Sequence, residues 1–252
     1  MKYGVSIDEL MDFFSEEHEG FSKQEINAAQ QHIGVALPEL YQRFLMMYGN
    51  DDINYICNEI NAPDEIWTSY QVIEDCLENV LKEDFEKAER DGKQDKYAEN
   101  PYFMLWHLPV EKWNTITENY VYIWHENQGV WNAGFLMSDL QAKNPNPPIY
   151  ISIDDDDISF KKYTNTIEEF LFQMLICADR YDEVYESKQR VAQVLSENGI
   201  DVTKLQSQSQ YPNESSYCFA SCLDNEKKIL YLYYAEKDCE ELYVFYSEEE
   251  DE

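Results

Sequence analysis

The segment 22–48 constrains the fold most, because it carries start and stop signals for two consecutive helices. Ser22 and Glu25 match a capping box, in which each side chain accepts a hydrogen bond from a backbone N–H group at the helix start. Gly34 stands where a helix ends in a left-handed residue, and Pro38 suits the first turn of a second helix. Apolar residues recur at helical spacing in both halves: Ile26, Ala29, Ile33, Leu37, Leu40, Tyr41, Phe44, Leu45 and Tyr48. The pattern predicts a packed helical hairpin.

Alternating bulky residues in the second half of the chain predict a sheet. Residues 120–126 and 130–136 flank a short turn in which Gly129 can take a positive φ, so they are expected to form a hairpin. Residues 149–154 follow as another strand. Thr166 and Glu169 match a second capping box at the start of an amphipathic helix. Further helices are predicted within 1–20, 71–92 and 183–198, and a small β-meander between 216 and 246.

The order of these segments resembles the SUKH superfamily, the Smi1/Knr4-like fold. The resemblance rests on the hairpin at 22–48, on HENQGVWNAGF at 125–135 and on NPPIYISIDDD at 146–156. It implies an α+β fold of the SMI1/KNR4-like type, a twisted, largely antiparallel sheet packed against helices, with a C-terminal helix plus β-meander extension. We therefore expect a SUKH domain over residues 1–182. The extension, with its acidic tail, is expected over 183–252.

The chain is strongly acidic. Its 19 basic and 51 acidic residues give a net charge of −32. A potential of this sign repels nucleic acid and anionic membranes and steers basic proteins toward the surface. It also keeps a protein soluble without any basic partner, so charge alone leaves both interpretations open. The N-terminus lacks the pattern of a secretory signal, and no run of about 20 apolar residues spans a bilayer. A cytoplasmic protein is expected.

The polar residues form no recognisable catalytic or metal motif. His107, His125, Cys218 and Cys222 lack the spacings on which zinc sites rely. Asp154–Asp157 could supply oxygen ligands to a hard cation, but the spacing of a calcium loop is absent and a solvated acidic turn is the alternative. The sequence has neither a nucleophile elbow nor a Gly-rich phosphate loop. The pattern therefore predicts a protein that is not an enzyme, with no cofactor and no metal.

A polar cluster at the predicted hairpin is the candidate partner-binding site. Its turn residues are flanked by two tryptophans, which supply much of the binding energy at many protein interfaces. In the alternative interpretation, the amide side chains stabilise the turn and the tryptophan rings lie in the core. The candidate residues are Trp124, Glu126, Asn127, Gln128, Trp131, Asp154, Asp155, Asp156 and Asp157.

The resemblance also implies a function. Many bacterial SUKH proteins are immunity proteins that neutralise polymorphic toxins. The implied partner is a cognate protein toxin, plausibly a basic nuclease, bound through an acidic surface without direct contact to nucleic acid or membrane. The alternative is a non-catalytic scaffold or regulatory adaptor of the Smi1/Knr4 type.

Overall fold

The computed structural model describes residues 1–14, 19–49, 60–125, 131–153, 158–176, 181–207, 219–236 and 239–247. The α-helices in these ranges are α1 (Ile7–Phe14), α2 (Lys23–Ile33), α3 (Glu39–Tyr48), α4 (Ser69–Cys76), α5 (Lys82–Arg90), α6 (Pro101–Trp106), α7 (Met137–Gln141), α8 (Ile167–Ile176), α9 (Lys188–Glu197) and α10 (Val202–Ser207), and short 3₁₀ helices form at Pro63–Glu65, Gln94–Tyr97 and Val110–Thr115. The strands are β1 (Lys2–Tyr3), β2 (Tyr120–His125), β3 (Trp131–Leu136), β4 (Ile149–Ile153), β5 (Phe160–Thr164), β6 (Glu183–Tyr185), β7 (Phe219–Asp224), β8 (Ile229–Glu236) and β9 (Cys239–Tyr246). The predicted α+β class is confirmed.

The predicted helical hairpin forms as α2 and α3. The Ser22 hydroxyl accepts the Glu25 N–H at 3.3 Å, and the Glu25 carboxylate accepts the Ser22 N–H at 2.8 Å. Gly34 ends α2 with a left-handed φ of 74°. Pro38 occupies the N-cap of α3, directly before the first turn in which it was predicted. Local sequence signals therefore define this hairpin.

Strands β2, β3, β4 and β5 form one antiparallel sheet in that spatial order. The β2–β3 register shifts between Tyr122 and Trp124, which is the mark of a β-bulge. The bulge reverses the alternation of β2, so Trp124 enters the helix-side core, 6.4 Å from Phe44 between ring centroids. Tyr41 packs edge-on against Phe135 in the same core, with ring centroids 5.5 Å apart.

The remaining strands form a second antiparallel sheet in the order β1-β7-β8-β9-β6. The predicted meander is β7–β9, and its buried residues pack with Val191, Val194 and Leu195 of α9. The prediction of a helix starting at 183 was wrong. Residues 183–185 pair with β9, and α9 starts only after Ser187, whose hydroxyl accepts the Arg190 N–H at 3.3 Å.

The predicted helix at 71–92 is interrupted. A π-helical turn at Leu77–Leu81 separates α4 from α5. The wider turn shifts the helical phase, so Leu77 and Phe85 are buried whereas Val80 is 67% exposed. At α8, Thr166 caps the Glu169 N–H at 3.1 Å as predicted, but the Glu169 carboxylate accepts from the Asn165 N–H at 2.8 Å.

The chain divides into two compact units. One comprises residues 1–17 together with 171–252, and the other comprises 18–170. Strand β1 belongs to the first unit because Lys2 pairs with Leu223 across the whole length of the sequence. The domain division at 182/183 stays a prediction. Within the described ranges, no helix combines the length and the apolarity needed to cross a bilayer.

Candidate functional site

The predicted partner-binding residues fall into two groups. Glu126, Asn127, Gln128 and Asp154–Asp157 lie outside the described residues. Trp124 is 1% exposed and packs edge-on against Phe170, 5.5 Å away between ring centroids, so its ring is out of reach of a partner docking on this conformation.

Trp131 is half-buried at the start of β3. Its backbone pairs with Ile153, and the neighbouring Asn132 pairs with His125. His125 directly precedes the predicted polar segment 126–128, and Ile153 directly precedes the acidic segment 154–157. Both residues therefore lie at the same end of the four-stranded sheet. As a set, the predicted partner-binding residues stay a prediction.

A different surface is built along the outer edge of β2, where residues 60–61 and 67–68 pair with the strand on either side of a 3₁₀ turn at Pro63–Glu65. Ile60 bridges Trp124 and Thr68 bridges Val121. The Tyr122 N–H donates to the Trp67 carbonyl at 2.9 Å, and the Asn61 N–H donates to the Ile123 carbonyl at 3.2 Å. This segment therefore satisfies backbone groups that an edge strand would otherwise leave unpaired.

Trp67 is held at the surface by three interactions. Its backbone carbonyl is bound to β2, its indole N–H donates to the Asp64 carbonyl at 2.9 Å, and its ring lies edge-on to His32 at 5.7 Å between centroids. The side chain nevertheless keeps 36% of its surface exposed. Trp67 is thus a fixed and accessible aromatic ring.

Two grooves adjoin at this ring. The helix-side groove, of about 460 Å³, is lined by Phe21, Glu25, Ala28, Ala29, His32, Pro63, Asp64 and Trp67. The sheet-side groove, of about 520 Å³, is lined by Asn61, Asp64, Glu65, Trp67, Val72, Tyr122, His125 and Asn132. Asp64 and Trp67 belong to both linings, so they separate the two grooves.

The charged groups of the two grooves are acidic. Glu25, Asp64 and Glu65 are all exposed, and among the described residues neither groove is lined by a lysine or arginine. The Ser22 hydroxyl and backbone N–H donate to the Glu25 carboxylate and lower the pKa of that group. Glu25 therefore keeps its negative charge below the pH at which an ordinary glutamate loses it.

The far wall of the sheet-side groove is a fixed polar pair. His125 Nδ1 lies 2.9 Å from the Asn61 side-chain oxygen, and the Asn61 amide donates to the Glu65 carbonyl at 3.2 Å. Because the amide nitrogen already donates, the oxygen is the acceptor and His125 carries its proton on Nδ1. The β2 bulge places this histidine on the groove face, opposite Trp124.

Of the residues considered as metal ligands, Cys218 lies outside the described residues, His107 and His125 belong to the unit 18–170, and Cys222 belongs to the other unit. His107 pairs with Glu89 at 3.4 Å, and His125 belongs to the sheet-side groove. Burial raises the pKa of the Cys222 thiol to about 11. Among the described residues, no group of three or more His, Cys, Asp or Glu side chains lies close enough to hold a metal ion.

None of the sequence-predicted site residues lies between 60 and 68, although one local signal points to this segment. Thr68 and Gln71 form a capping box at the start of α4: the Gln71 side chain accepts the Thr68 N–H at 2.8 Å, and the Thr68 hydroxyl accepts the Gln71 N–H at 3.2 Å. A helix that starts at Ser69 leaves Trp67 and the extended Thr68 in the short segment before it, which pairs with the edge of β2.

The comparisons with known proteins agree with the fold of the unit that carries these grooves. The family model SUKH_6, described as SMI1-KNR4 cell-wall, matches residues 23–171. No curated protein and no solved structure gives a significant match. The matched range contains α2, α3, the four-stranded sheet and the edge segment 60–68, and it covers more than half of the chain. The chain belongs to the SMI1-KNR4 (SUKH) family.

Proposed function

We propose that this protein is an immunity protein that binds a cognate polymorphic toxin domain and blocks its activity. The family match over residues 23–171 is the observation that carries the proposal, because immunity is a common role of bacterial SUKH proteins. The net charge of −32 supports a basic partner. A toxin that degrades nucleic acid is such a partner, since it must neutralise phosphates with lysine and arginine side chains.

Charge and close contacts would act on different steps of binding between an acidic inhibitor and a basic toxin. Long-range attraction raises the association rate of oppositely charged proteins, by about 10- to 1000-fold at low salt. Close contacts, above all those of aromatic anchors, then determine how slowly the complex dissociates. Covering the basic groove of a nuclease would block its substrate without any chemistry by the inhibitor.

A growth assay tests the proposal. The C-terminal domain of the protein encoded immediately upstream is expressed in a sensitive host, with this chain or with an unrelated acidic protein of similar charge. We expect the domain to stop growth, this chain to restore it and the acidic control to leave the host inhibited. Killing that persists beside an excess of this chain contradicts the proposal, and the scaffold or adaptor role then becomes the better hypothesis.

A further inference from the structure

We infer that the two grooves beside Trp67 are a docking surface for an arginine- or lysine-bearing segment of a basic protein partner. The inference rests on the proposed function, which supplies a basic partner, and it assigns the contact to residues that the sequence did not single out. Trp67 stacks on a cationic side chain, while Asp64, Glu65 and Glu25 pair with cations in the grooves on either side.

The aromatic ring suits a cation in both chemistry and rigidity. Tryptophan is the best side chain for cation–π contacts, which form when an ammonium or guanidinium lies within about 6 Å of the ring centroid. The indole N–H is already used by the Asp64 carbonyl, at 2.9 Å. Because His32 and the β2 edge also hold Trp67, little side-chain entropy remains to be lost on binding.

The carboxylates are placed around the same ring. Asp64 lines both grooves, Glu65 lines the sheet-side groove and Glu25 lines the helix-side groove. The Glu65 carboxylate also accepts the Ala62 N–H at 3.3 Å, and Glu25 is fixed by Ser22, so two of the three acids have defined positions. Two cationic side chains of one segment can therefore straddle Trp67, one in each groove.

The apolar residues of the two linings favour an inserted side chain over a flat contact. Ala28, Ala29 and Pro63 line the helix-side groove, and the small alanine side chains leave room for the aliphatic stem of a lysine or arginine. In the sheet-side groove, Val72 and Tyr122 offer apolar contact, and the Asn61–His125 pair lines the far side. Grooves lined by apolar and acidic side chains match lysine and arginine, which are apolar along the stem and positive at the tip.

The first test uses a hexa-arginine peptide and does not require a toxin. The indole N–H signals of the five tryptophans are recorded by NMR, and the Trp67 signal is identified by its disappearance in Trp67→Phe. We expect the peptide to shift the Trp67 signal more than those of the other four. Asp64→Asn with Glu65→Gln should weaken binding by about threefold or more, the range measured for surface charge pairs.

The matched control is Glu83→Gln with Asp84→Asn. These adjacent acids are exposed at the start of α5, so both double variants change the net charge by the same amount. The control should leave the Trp67 shift and the affinity close to those of the unsubstituted protein. Equal weakening by the two double variants, or a Trp67 signal that does not move, overturns the inference and assigns peptide binding to overall charge.

The second test uses the growth assay. If the unsubstituted chain protects the host, Trp67→Ala should weaken toxin binding about tenfold or more, the effect expected for a central aromatic anchor. Trp67→Phe should retain part of the affinity. Undiminished binding by folded Trp67→Ala overturns the docking surface but leaves the immunity role intact. A chain that gives no protection contradicts the immunity role, and the peptide titration then still decides whether the grooves bind cations.

Discussion

The backbone N–H of Tyr122 donates a hydrogen bond of 2.9 Å to the carbonyl oxygen of Trp67. This bond joins the bulged edge strand of the four-stranded sheet to the exposed ring between the two grooves. The Tyr120 N–H is satisfied in the same way by the Ser69 hydroxyl at 2.9 Å. The position of Trp67 is therefore coupled to the position of β2, and a change that moves β2 should also change the grooves.

Gly134→Ala tests this coupling. A Cβ atom at this position would lie 2.7 Å from the Val121 carbonyl oxygen, so β2 and β3 must move apart. We expect a loss of about 1–3 kcal/mol in the free energy of unfolding, the usual cost of overpacking. We also expect a shifted Trp67 indole signal. Lys161→Ala in β5 of the same sheet is the control, because this exposed side chain lines neither groove and its truncation adds no atom between strands. An equal effect from both variants would contradict the steric argument.

Gly34→Ala tests the left-handed end of α2. The φ of 74° disfavours any Cβ, and nothing lies within 4 Å of the Cβ position, so the cost comes from the backbone alone. We expect a loss of about 1–2 kcal/mol in the free energy of unfolding, measured by denaturant titration. Gly34→Asn should lose less, because asparagine tolerates this conformation. Equal losses for alanine and asparagine would point to a steric cause instead.

The sequence predicted those parts of the fold that short-range signals define. Ser22, Glu25 and Gly34 determine the ends of α2 from within a few residues, and the predicted structure is confirmed there. The pairing of Lys2 with Leu223, by contrast, joins residues at opposite ends of the chain. No local pattern encodes such a pairing, and two-residue strands have no detectable alternation.

The candidate site was not predictable for the same reason. In the sequence, Pro63 and Trp67 indicate a loop or a short strand without naming its partner. The surroundings of Trp67 form only when residues 60–61 and 67–68 pair with β2, more than fifty positions later. The bulge in β2 has the same consequence for Trp124. The alternating sequence of β2 does not reveal the bulge that directs the Trp124 ring into the core. The hydrogen-bond register of β2 and β3 was needed to distinguish the buried Trp124 from the exposed Trp67.

Tyr41→Phe should show an effect that depends on pH. Burial raises the pKa of Tyr41, so folding favours the neutral phenol. The stability from this group is complete below the unfolded pKa of about 10 and is lost as the pH rises above it. At neutral pH, we expect Tyr41→Phe to lower the free energy of unfolding by about 1 kcal/mol, the typical value of one hydrogen bond, because the phenol donates to the Ile123 carbonyl at 2.9 Å. The Ile123 carbonyl still accepts the Asn61 N–H in the variant, so it is not left unsatisfied.

The difference between Tyr41→Phe and the unsubstituted protein should therefore shrink above pH ~10, because only the latter loses stability through this group. Denaturant titrations at neutral and alkaline pH measure the difference directly. The other tyrosines titrate in both proteins and cancel, including Tyr120, whose pKa burial raises to about 12. A difference that stays constant with pH would contradict a pKa raised by burial.

If the protein binds a basic toxin as proposed, salt should act on that complex chiefly through its association rate. Screening shortens the Debye length from about 10 Å at 0.1 M salt to about 3 Å at 1 M, which removes long-range attraction to a chain of net charge −32. We expect slower association at high salt and a dissociation rate that changes less, measured by surface-based or stopped-flow kinetics. An association rate insensitive to salt would exclude charge as the steering force.

Trp124→Phe should lower stability without lowering the affinity of the folded protein. Its ring is 1% exposed and packs with Phe44 and Phe170, so the smaller phenyl ring leaves unfilled space in the core. We expect a loss of about 1–3 kcal/mol in the free energy of unfolding. Toxin affinity, corrected for the folded fraction, should match that of the unsubstituted protein, in contrast to Trp67→Ala. Reduced affinity in a fully folded Trp124→Phe would return this tryptophan to the binding surface, and its contact would then require β2 to rearrange on binding.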